Sequence, residues 1–330
     1  MVYGIIKSNR AHPQTNHIKI TTLPQPPTHP FQIMNMFINN LNNTDDDILA
    51  RLDAMLVQEA TVRCHNYFNK SPSDDMLDES SRKSMVTWIT QVQKTLGLSS
   101  EVVTIAMSYF DRYLSSGRGN SHAVLNSKCK FQLAAITCYY TAVKTYEPVV
   151  LGLDMLVQIC RGTYTEDDIV EMEKDILYAL EWKVAVHTAL DFTRTLLELV
   201  EKHLSTCVSD DILSSCQKHM DFVITNLTLS CIQPSTVGIS CLASSLSECD
   251  MLSVTQKQSI WNALSEKCHF DLMSSQVISA QQCLLSQTSP SKLVIMGASY
   301  KSSRSVSSIV SPIGSGSSSP VCVSRTARQA

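Results

Sequence analysis

The sequence has no excess of charge of either sign and no long hydrophobic run. Its 330 residues carry 27 Lys and Arg against 30 Asp and Glu, a formal net charge of −3, so it lacks the broad basic surface that nucleic-acid-binding proteins use. No apolar stretch reaches the ~18 residues of a membrane-spanning helix, and the first residues lack a basic-then-apolar signal pattern. We therefore expect no nucleic acid or membrane as partner, and a location in the nucleus and cytoplasm.

The sequence also lacks the short motifs that mark common enzyme classes. No nucleophile elbow, phosphate-cradling glycine loop or metal-ligand spacing appears. The twelve cysteines include no Cys-x-x-Cys pair. Those in apolar helical runs, where a free cysteine behaves as a small hydrophobic residue, are Cys138, Cys160, Cys216, Cys231 and Cys241. These absences favour a protein that is not an enzyme, binds no cofactor or metal, and keeps its cysteines reduced.

What the sequence does contain is a series of amphipathic helical patterns. The spacing of apolar residues predicts a helix that begins at Asp45, and then two blocks of helices that meet near Thr188. No strand-like alternation has useful length, so the predicted fold is all-α. The two ends are rich in Pro, Asn, Thr, Ser and Gly, which predicts disordered tails at residues 1–44 and 288–330.

The most apolar stretch, residues 131–143, is predicted to be the central helix of the first block. A helix that is apolar on all sides must be buried on all sides, and small residues one turn apart let neighbouring helices approach closely. These small residues are Ala134, Ala135, Cys138 and Ala142. Residues 237–246 of the second block are similarly rich in small side chains, which indicates a structural repeat without sequence identity.

Four ionisable residues occupy positions where the helical pattern favours hydrophobic side chains. They are Arg82, Asp111, Lys144 and Glu173. Each alone is compatible with a surface side chain whose charged end reaches water, whereas a buried charge is costly unless it is paired. Taken together, the four suggest an internal pair, Arg82 with Asp111, and a second set, Lys144 and Glu173, that points outward to a partner.

These residues belong to a longer pattern that resembles the cyclins. The matching segments, in chain order, are residues 82–88, 109–114, 142–144 with Glu147, 164–165, 172–173 with 176–177, and 180–182 before Thr188. The pattern resembles the cyclin box over about residues 80–192, and the second block resembles a cyclin C-terminal box more weakly. Residues 87–88 and 180–183 resemble the D-type cyclins.

The resemblance implies two tandem five-helix cyclin-fold domains with an N-terminal helix. The N-terminal cyclin box and its preceding helix are placed at residues 45–186, and the C-terminal cyclin-fold domain at residues 187–287. The predicted function is that of a regulatory subunit, itself not an enzyme, that binds and activates a cyclin-dependent Ser/Thr kinase in cell-cycle control. The alternative is a cyclin-fold adaptor or transcription-related scaffold without kinase activation.

The resemblance also assigns roles to the four unexpected charges. It implies that Arg82 and Asp111 form a buried salt bridge, and that Lys144 and Glu173 grip the regulatory helix of the kinase. A lysine donates hydrogen bonds to carbonyl groups and a glutamate accepts them from amide groups, so such a pair can hold the backbone at one end of a helix.

The sequence also suggests a docking patch and a phosphorylation site, both on weaker grounds than the four charges. A candidate docking patch for kinase substrates or inhibitors consists of Met85, Trp88 and Gln132, although Ser81 and Ser84 stand where the family usually has hydrophobic residues. Separately, Ser289 precedes a proline and has a lysine at +3. This pattern fits a proline-directed kinase site, and it is also one that occurs often by chance in disordered tails.

Overall fold

The computed structural model describes residues 44–62, 64–68, 77–200, 204, 206–268, 272 and 274–288. Within these ranges the chain forms thirteen helices and no strand, which confirms the predicted all-α class. No helix in the described ranges is long and apolar enough to cross a membrane. The predicted tails lie outside these ranges, apart from Thr44 and Thr288.

The first helical set follows the N-terminal helix α1 (Asp45–Ala60) and surrounds one buried helix. Its members are α2 (Glu79–Leu96), α3 (Glu101–Ser115), α4 (Ser121–Leu125), α5 (Lys128–Tyr146), α6 (Leu153–Ile159) and α7 (Glu166–Ala179). The buried helix is α5, which packs against α3 and α7, and every residue from 133 to 143 is buried. The predicted central helix is therefore confirmed.

The second helical set repeats this arrangement. Its members are α8 (Ala189–Val200), α9 (Thr206–Val223), α10 (Leu227–Ser230), α11 (Pro234–Glu248), α12 (Val254–Lys267) and α13 (Ser275–Thr288). Its central helix is α11, which packs against α8, α9 and α13. In the described ranges each set thus has five main helices and one single-turn helix, α4 or α10. The sequence pattern did not predict α4, and α10 lies within a longer helix that the pattern did predict.

Several helices begin at capping residues or end at a glycine, and the side chains or backbone conformation of these residues explain why the helix starts or stops there. The Thr165 hydroxyl accepts from the Asp168 backbone N–H while the Asp168 carboxylate accepts from the Thr165 N–H, which forms a capping box at the start of α7. Ser253 and Gln256 do the same for α12. Gly97 ends α2 in the left-handed conformation, with φ at 66°, which glycine adopts without a steric penalty.

The second block departs from its sequence pattern at one point. Apolar residues at helical spacing cover about residues 209–231 and predict one helix there, whereas in the structure α9 ends at Val223 and α10 begins at Leu227. Asn226 lies at the break, and its side-chain oxygen accepts a hydrogen bond from the Leu229 backbone N–H at 3.1 Å. The break leaves the Ile224 carbonyl group available to another part of the chain.

Helix α1 packs against the second set although it precedes the first set in the chain. Ile48, Leu52 and Met55 are buried in the hydrophobic cluster that α8 and α11 form. Glu59 is buried too, and its carboxylate accepts a hydrogen bond of 2.6 Å from the Ser235 backbone N–H, at the positively polarised start of α11. The predicted domain boundaries group α1 with the first set, and these boundaries stay predictions.

Gly238 allows α11 to cross close to α8. A Cβ atom at this position would lie 2.6 Å from the Ala189 carbonyl oxygen and 3.0 Å from the Phe192 Cβ. Folded interiors are close-packed, so neither atom can move away freely. The close packing of α8 against α11 therefore explains why a residue without a side chain is needed at Gly238, one of the small residues noted in the sequence.

We expect Gly238→Ala to lower the free energy of unfolding by about 1–3 kcal/mol, because the added methyl group forces α8 and α11 apart. Gly152→Ala is a matched control, since the atoms nearest its Cβ belong to the side chain of Asp154, which can rotate away. Urea denaturation of both variants measures the difference. If Gly238→Ala unfolds at the wild-type midpoint, the crossing has more room than the structure indicates.

Candidate functional site

The side chains of Arg82 and Asp111 meet in the interior between α2 and α3. The Nε and Nη2 atoms of Arg82 donate to the two carboxylate oxygens at 2.8 and 2.7 Å, and the side chains are only 1% and 3% exposed. Burial alone would lower the pKa of Arg82, but the Asp111 carboxylate more than offsets it, so this pKa lies above its ordinary value. The guanidinium group therefore keeps its charge in the interior.

The same ion pair joins distant parts of the chain. The Tyr67 hydroxyl donates to Asp111 at 2.9 Å. On the other side, Arg82 Nη1 donates to the Ile224 carbonyl oxygen at 2.7 Å, and Nη2 donates to the Ser230 hydroxyl at 3.1 Å. We call these five residues the Arg82 network. It connects α2 and α3 with residues 64–68 and with the break between α9 and α10.

We expect Arg82→Ala to lower the free energy of unfolding by about 3–5 kcal/mol, because it leaves the buried Asp111 carboxylate without its counter-charge. Thermal and urea denaturation measure the loss. Lys183→Ala is the control: it removes an ion pair with Glu181 whose side chains are about half exposed, and water already screens such a pair. An unchanged melting temperature for Arg82→Ala would contradict the buried pairing.

A second charged pair lies at the surface, where the C-terminal end of α5 passes α7. The Lys144 Nζ is 3.0 Å from each Glu173 carboxylate oxygen. The Lys144 side chain is 45% exposed and the Glu173 side chain 13%. The structure thus brings together the two residues that the sequence analysis assigned to a partner, and it leaves the ammonium group in contact with water.

Two neighbours that the sequence analysis missed complete this surface pair. The Thr141 hydroxyl is 3.1 Å from a Glu173 carboxylate oxygen, and Lys144 Nζ lies 4.8 Å from the centroid of the Tyr140 ring, within the range of a cation–π contact. These residues precede Lys144 by three and four positions, which places them on the same helix face. The sequence feature that could have indicated Thr141 is a hydroxyl side chain three residues before Lys144 in an otherwise apolar helix.

The other predicted site residues lie apart from this pair. Met85 and Trp88 of the candidate docking patch are only 5% and 8% exposed, and Gln132 accepts a hydrogen bond from the Tyr164 hydroxyl at 3.2 Å. Little apolar surface of the patch therefore reaches water, and its role in docking stays a prediction. Ser289 lies outside the described residues.

The exposed pair can interact with the backbone of another chain. A lysine ammonium only donates hydrogen bonds, and a carboxylate only accepts them. Helix ends carry carbonyl or amide groups without partners in their own helix. The Lys144 ammonium group is about half exposed, so water screens its attraction to Glu173. Lys144 can therefore exchange this contact for contacts with such a helix end, beside a Glu173 carboxylate that stays mostly buried.

A cavity of about 440 Å³ lies between the two helical sets, beside the Arg82 network. Asp111 and Ser230 of the network line it, together with Cys64 and Cys231. In the described part of the chain, no group of three or more His, Cys, Asp and Glu side chains is placed to hold a metal ion. Lys144 and Glu173 are not part of this cavity.

Comparisons with known proteins relate this chain to one family. The family model for the cyclin N-terminal domain matches residues 51–185. Cyclin-A3-3 of Arabidopsis thaliana is 29% identical over 156 residues, which are 47% of this chain and 45% of that protein. G1/S-specific cyclin-D1 of Bos taurus is 28% identical over 168 residues, 48% of this chain and 54% of that protein. The chain thus matches about half the length of these curated relatives, and their near-equal identities favour neither the A-type nor the D-type.

The fold comparison extends to the second helical set. The crystal structure of a viral cyclin from herpesvirus saimiri matches with a TM-score of 0.54 over 72% of this chain and 96% of that chain, at 16% sequence identity. At this low identity the match shows only that the two chains share a fold, and it confirms the predicted cyclin fold. Residues 51–185 therefore match the cyclin N-terminal domain family, and the chain shares the fold of the viral cyclin over most of its length.

Proposed function

We propose that this chain is a regulatory subunit that binds and activates a cyclin-dependent Ser/Thr kinase in cell-cycle control. The observation that carries the proposal is the surface pair of Lys144 and Glu173 at the edge of α5 and α7. The match of residues 51–185 to the cyclin N-terminal domain supports it, as does the name of the G1/S-specific relative. On this proposal the chain is not an enzyme, and it contributes binding energy to the active conformation of the kinase.

Lys144 and Glu173 would hold one end of the kinase's regulatory helix. The ammonium group donates to carbonyl oxygens of that helix, and the carboxylate accepts from its amide groups. Thr141 has a separate part: its hydroxyl keeps the Glu173 carboxylate oriented when Lys144 turns to the partner. Held inward, the kinase helix completes the kinase's own Lys–Glu ion pair, which positions the ATP phosphates.

We expect the double variant Lys144→Ala, Glu173→Ala to bind a cyclin-dependent kinase at least about 30-fold more weakly, the loss typical of central interface residues. Titration with a panel of purified kinases measures the affinity, and phosphate transfer to a substrate peptide measures activation. The double variant should unfold near the wild-type temperature, since it removes both charges together and leaves neither unpaired, and water already screens the half-exposed Lys144.

Lys174→Ala is the matched control for this experiment. Lys174 follows Glu173 on α7 and its side chain is exposed, so the variant removes a neighbouring positive charge without touching the pair. It should bind and activate the kinase as the wild-type chain does. A double variant that binds and activates equally well would show that this edge is not the kinase interface.

The alternative function is that of a cyclin-fold adaptor or transcription-related scaffold. The same assay separates it from the main proposal, because an adaptor can capture a kinase without raising its rate of phosphate transfer. The nearly balanced charge, 27 Lys and Arg against 30 Asp and Glu, speaks against a scaffold that binds nucleic acid. Tight DNA binding at low salt in a gel-shift assay would reverse that argument.

Three further parts of the proposal rest on the sequence alone. Substrates or inhibitors of the kinase are proposed to dock at Met85, Trp88 and Gln132. Ser289 is proposed as a phosphorylation site, where the added negative charge would regulate turnover or export. The nucleus and cytoplasm are the proposed location.

A further inference from the structure

Two cysteines from distant parts of the sequence face each other at the boundary between the helical sets. Cys64 lies in the segment after α1, Cys231 directly follows α10, and their Sγ atoms are 3.5 Å apart. Both are partly buried and free, and both line the cavity of about 440 Å³ between the sets. A disulfide bond joins sulfur atoms about 2.05 Å apart, so a modest shift of the two side chains brings them to bonding distance.

We propose that Cys64 and Cys231 form a redox-modification site, at which hydrogen peroxide produces a reversible disulfide between the segment after α1 and the second helical set. This inference is independent of the proposed kinase partner. It concerns a side of the chain that contains neither Lys144 nor Glu173.

The surroundings of the two thiols assign them different roles. The hydrogen bond that the two thiols share lowers the pKa of Cys231. The positive charge of Arg82 adds to this, against burial and the charges of Asp111 and Glu79. The same hydrogen bond, followed by burial, raises the pKa of Cys64. Arg82 Nη2 donates to the Ser230 hydroxyl at 3.1 Å, one residue before Cys231, so a buried positive charge lies on the Cys231 side of the pair. Since the thiolate is the reactive form of cysteine, we assign Cys231 as the nucleophile and Cys64 as the resolving thiol.

The oxidation proceeds in two balanced steps. The Cys231 thiolate attacks one oxygen of hydrogen peroxide, so that an S–O bond forms, the O–O bond breaks, and the released hydroxide takes up a proton to become water. The Cys64 sulfur then attacks the sulfenic acid on Cys231, an S–S bond forms, the S–O bond breaks, and a second water leaves. In sum, two thiols and one peroxide give one disulfide and two waters, with two electrons passing from sulfur to the peroxide.

The disulfide would reinforce a connection that the fold already has. Arg82 donates a hydrogen bond to Ser230, the residue before Cys231, so the new bond lies next to the Arg82 network. A crosslink between residues 64 and 231 closes a loop that contains the whole first helical set, and closing a long loop restricts the unfolded chain strongly. In a reducing compartment such a bond is transient, which suits a reversible signal.

The test uses the purified full-length chain without kinase, freed of reductant and treated with one to a few equivalents of hydrogen peroxide. We expect the mass to fall by two hydrogen atoms, a tryptic digest to contain one peptide that links Cys64 to Cys231, and the melting temperature to rise by roughly 5–15 °C. Dithiothreitol should reverse all three changes. Cys129→Ser, which removes an exposed cysteine, should behave as the wild-type chain does.

Two variants test the assigned roles. Cys64→Ser should keep a sulfenic acid on Cys231 that dimedone labels, whereas Cys231→Ser should leave Cys64 unlabelled, and neither should form the linked peptide. Equal labelling of Cys64 in Cys231→Ser would overturn the assignment of nucleophile and resolving thiol. A wild-type chain without the linked peptide, or with links only between other cysteines, would overturn the proposal even if a variant fails to fold.

Discussion

The ion pair between Arg82 and Asp111 determines how the two halves of this molecule meet. Removing both charges from water is costly, and such a pair contributes little net stability compared with well-packed hydrophobic residues. The contribution of this ion pair to the structure lies in the directions in which the guanidinium group donates hydrogen bonds. Once the guanidinium group is buried, its donors need acceptors, and the acceptors come from Asp111 in the first set and from Ile224 and Ser230 in the second. A different arrangement of the two sets would leave these groups without partners, at a larger cost.

The proposed partner site depends on the interior of the first set rather than on the surface around it. Helix α5 is surrounded by its neighbours, so core packing fixes its direction and its end. Near that end, the Tyr146 hydroxyl accepts a hydrogen bond from the Val186 backbone N–H at 2.8 Å, which ties the end of α5 to the segment between the two sets. Lys144 therefore emerges at a fixed place beside Glu173. A partner helix at the proposed site would meet an already formed pair of charges, which reduces the entropy that binding must offset.

The sequence predicts features that depend on local chemistry, and it misses those that depend on contacts between distant segments. The burial of α5, the capping boxes and the four charges in apolar patterns all follow from residue types at fixed spacing. The break after Val223 does not, because residues 209–231 keep a helical pattern throughout. The structure shows that the break lets the Ile224 carbonyl group accept a hydrogen bond from Arg82. The packing of α1 on the second set, and the contact of Cys64 with Cys231, likewise join segments whose patterns carry no information about each other.

The proposed activation of a kinase requires that a helix of the kinase binds at the edge of α5 and α7. Hydrogen exchange of the whole chain, with and without a saturating cyclin-dependent kinase, tests it directly, because amide exchange reports protection segment by segment. If the kinase helix binds there, the kinase slows exchange at the C-terminal end of α5 and along α7. Protection confined to the second helical set, with α5 and α7 unchanged, would contradict it.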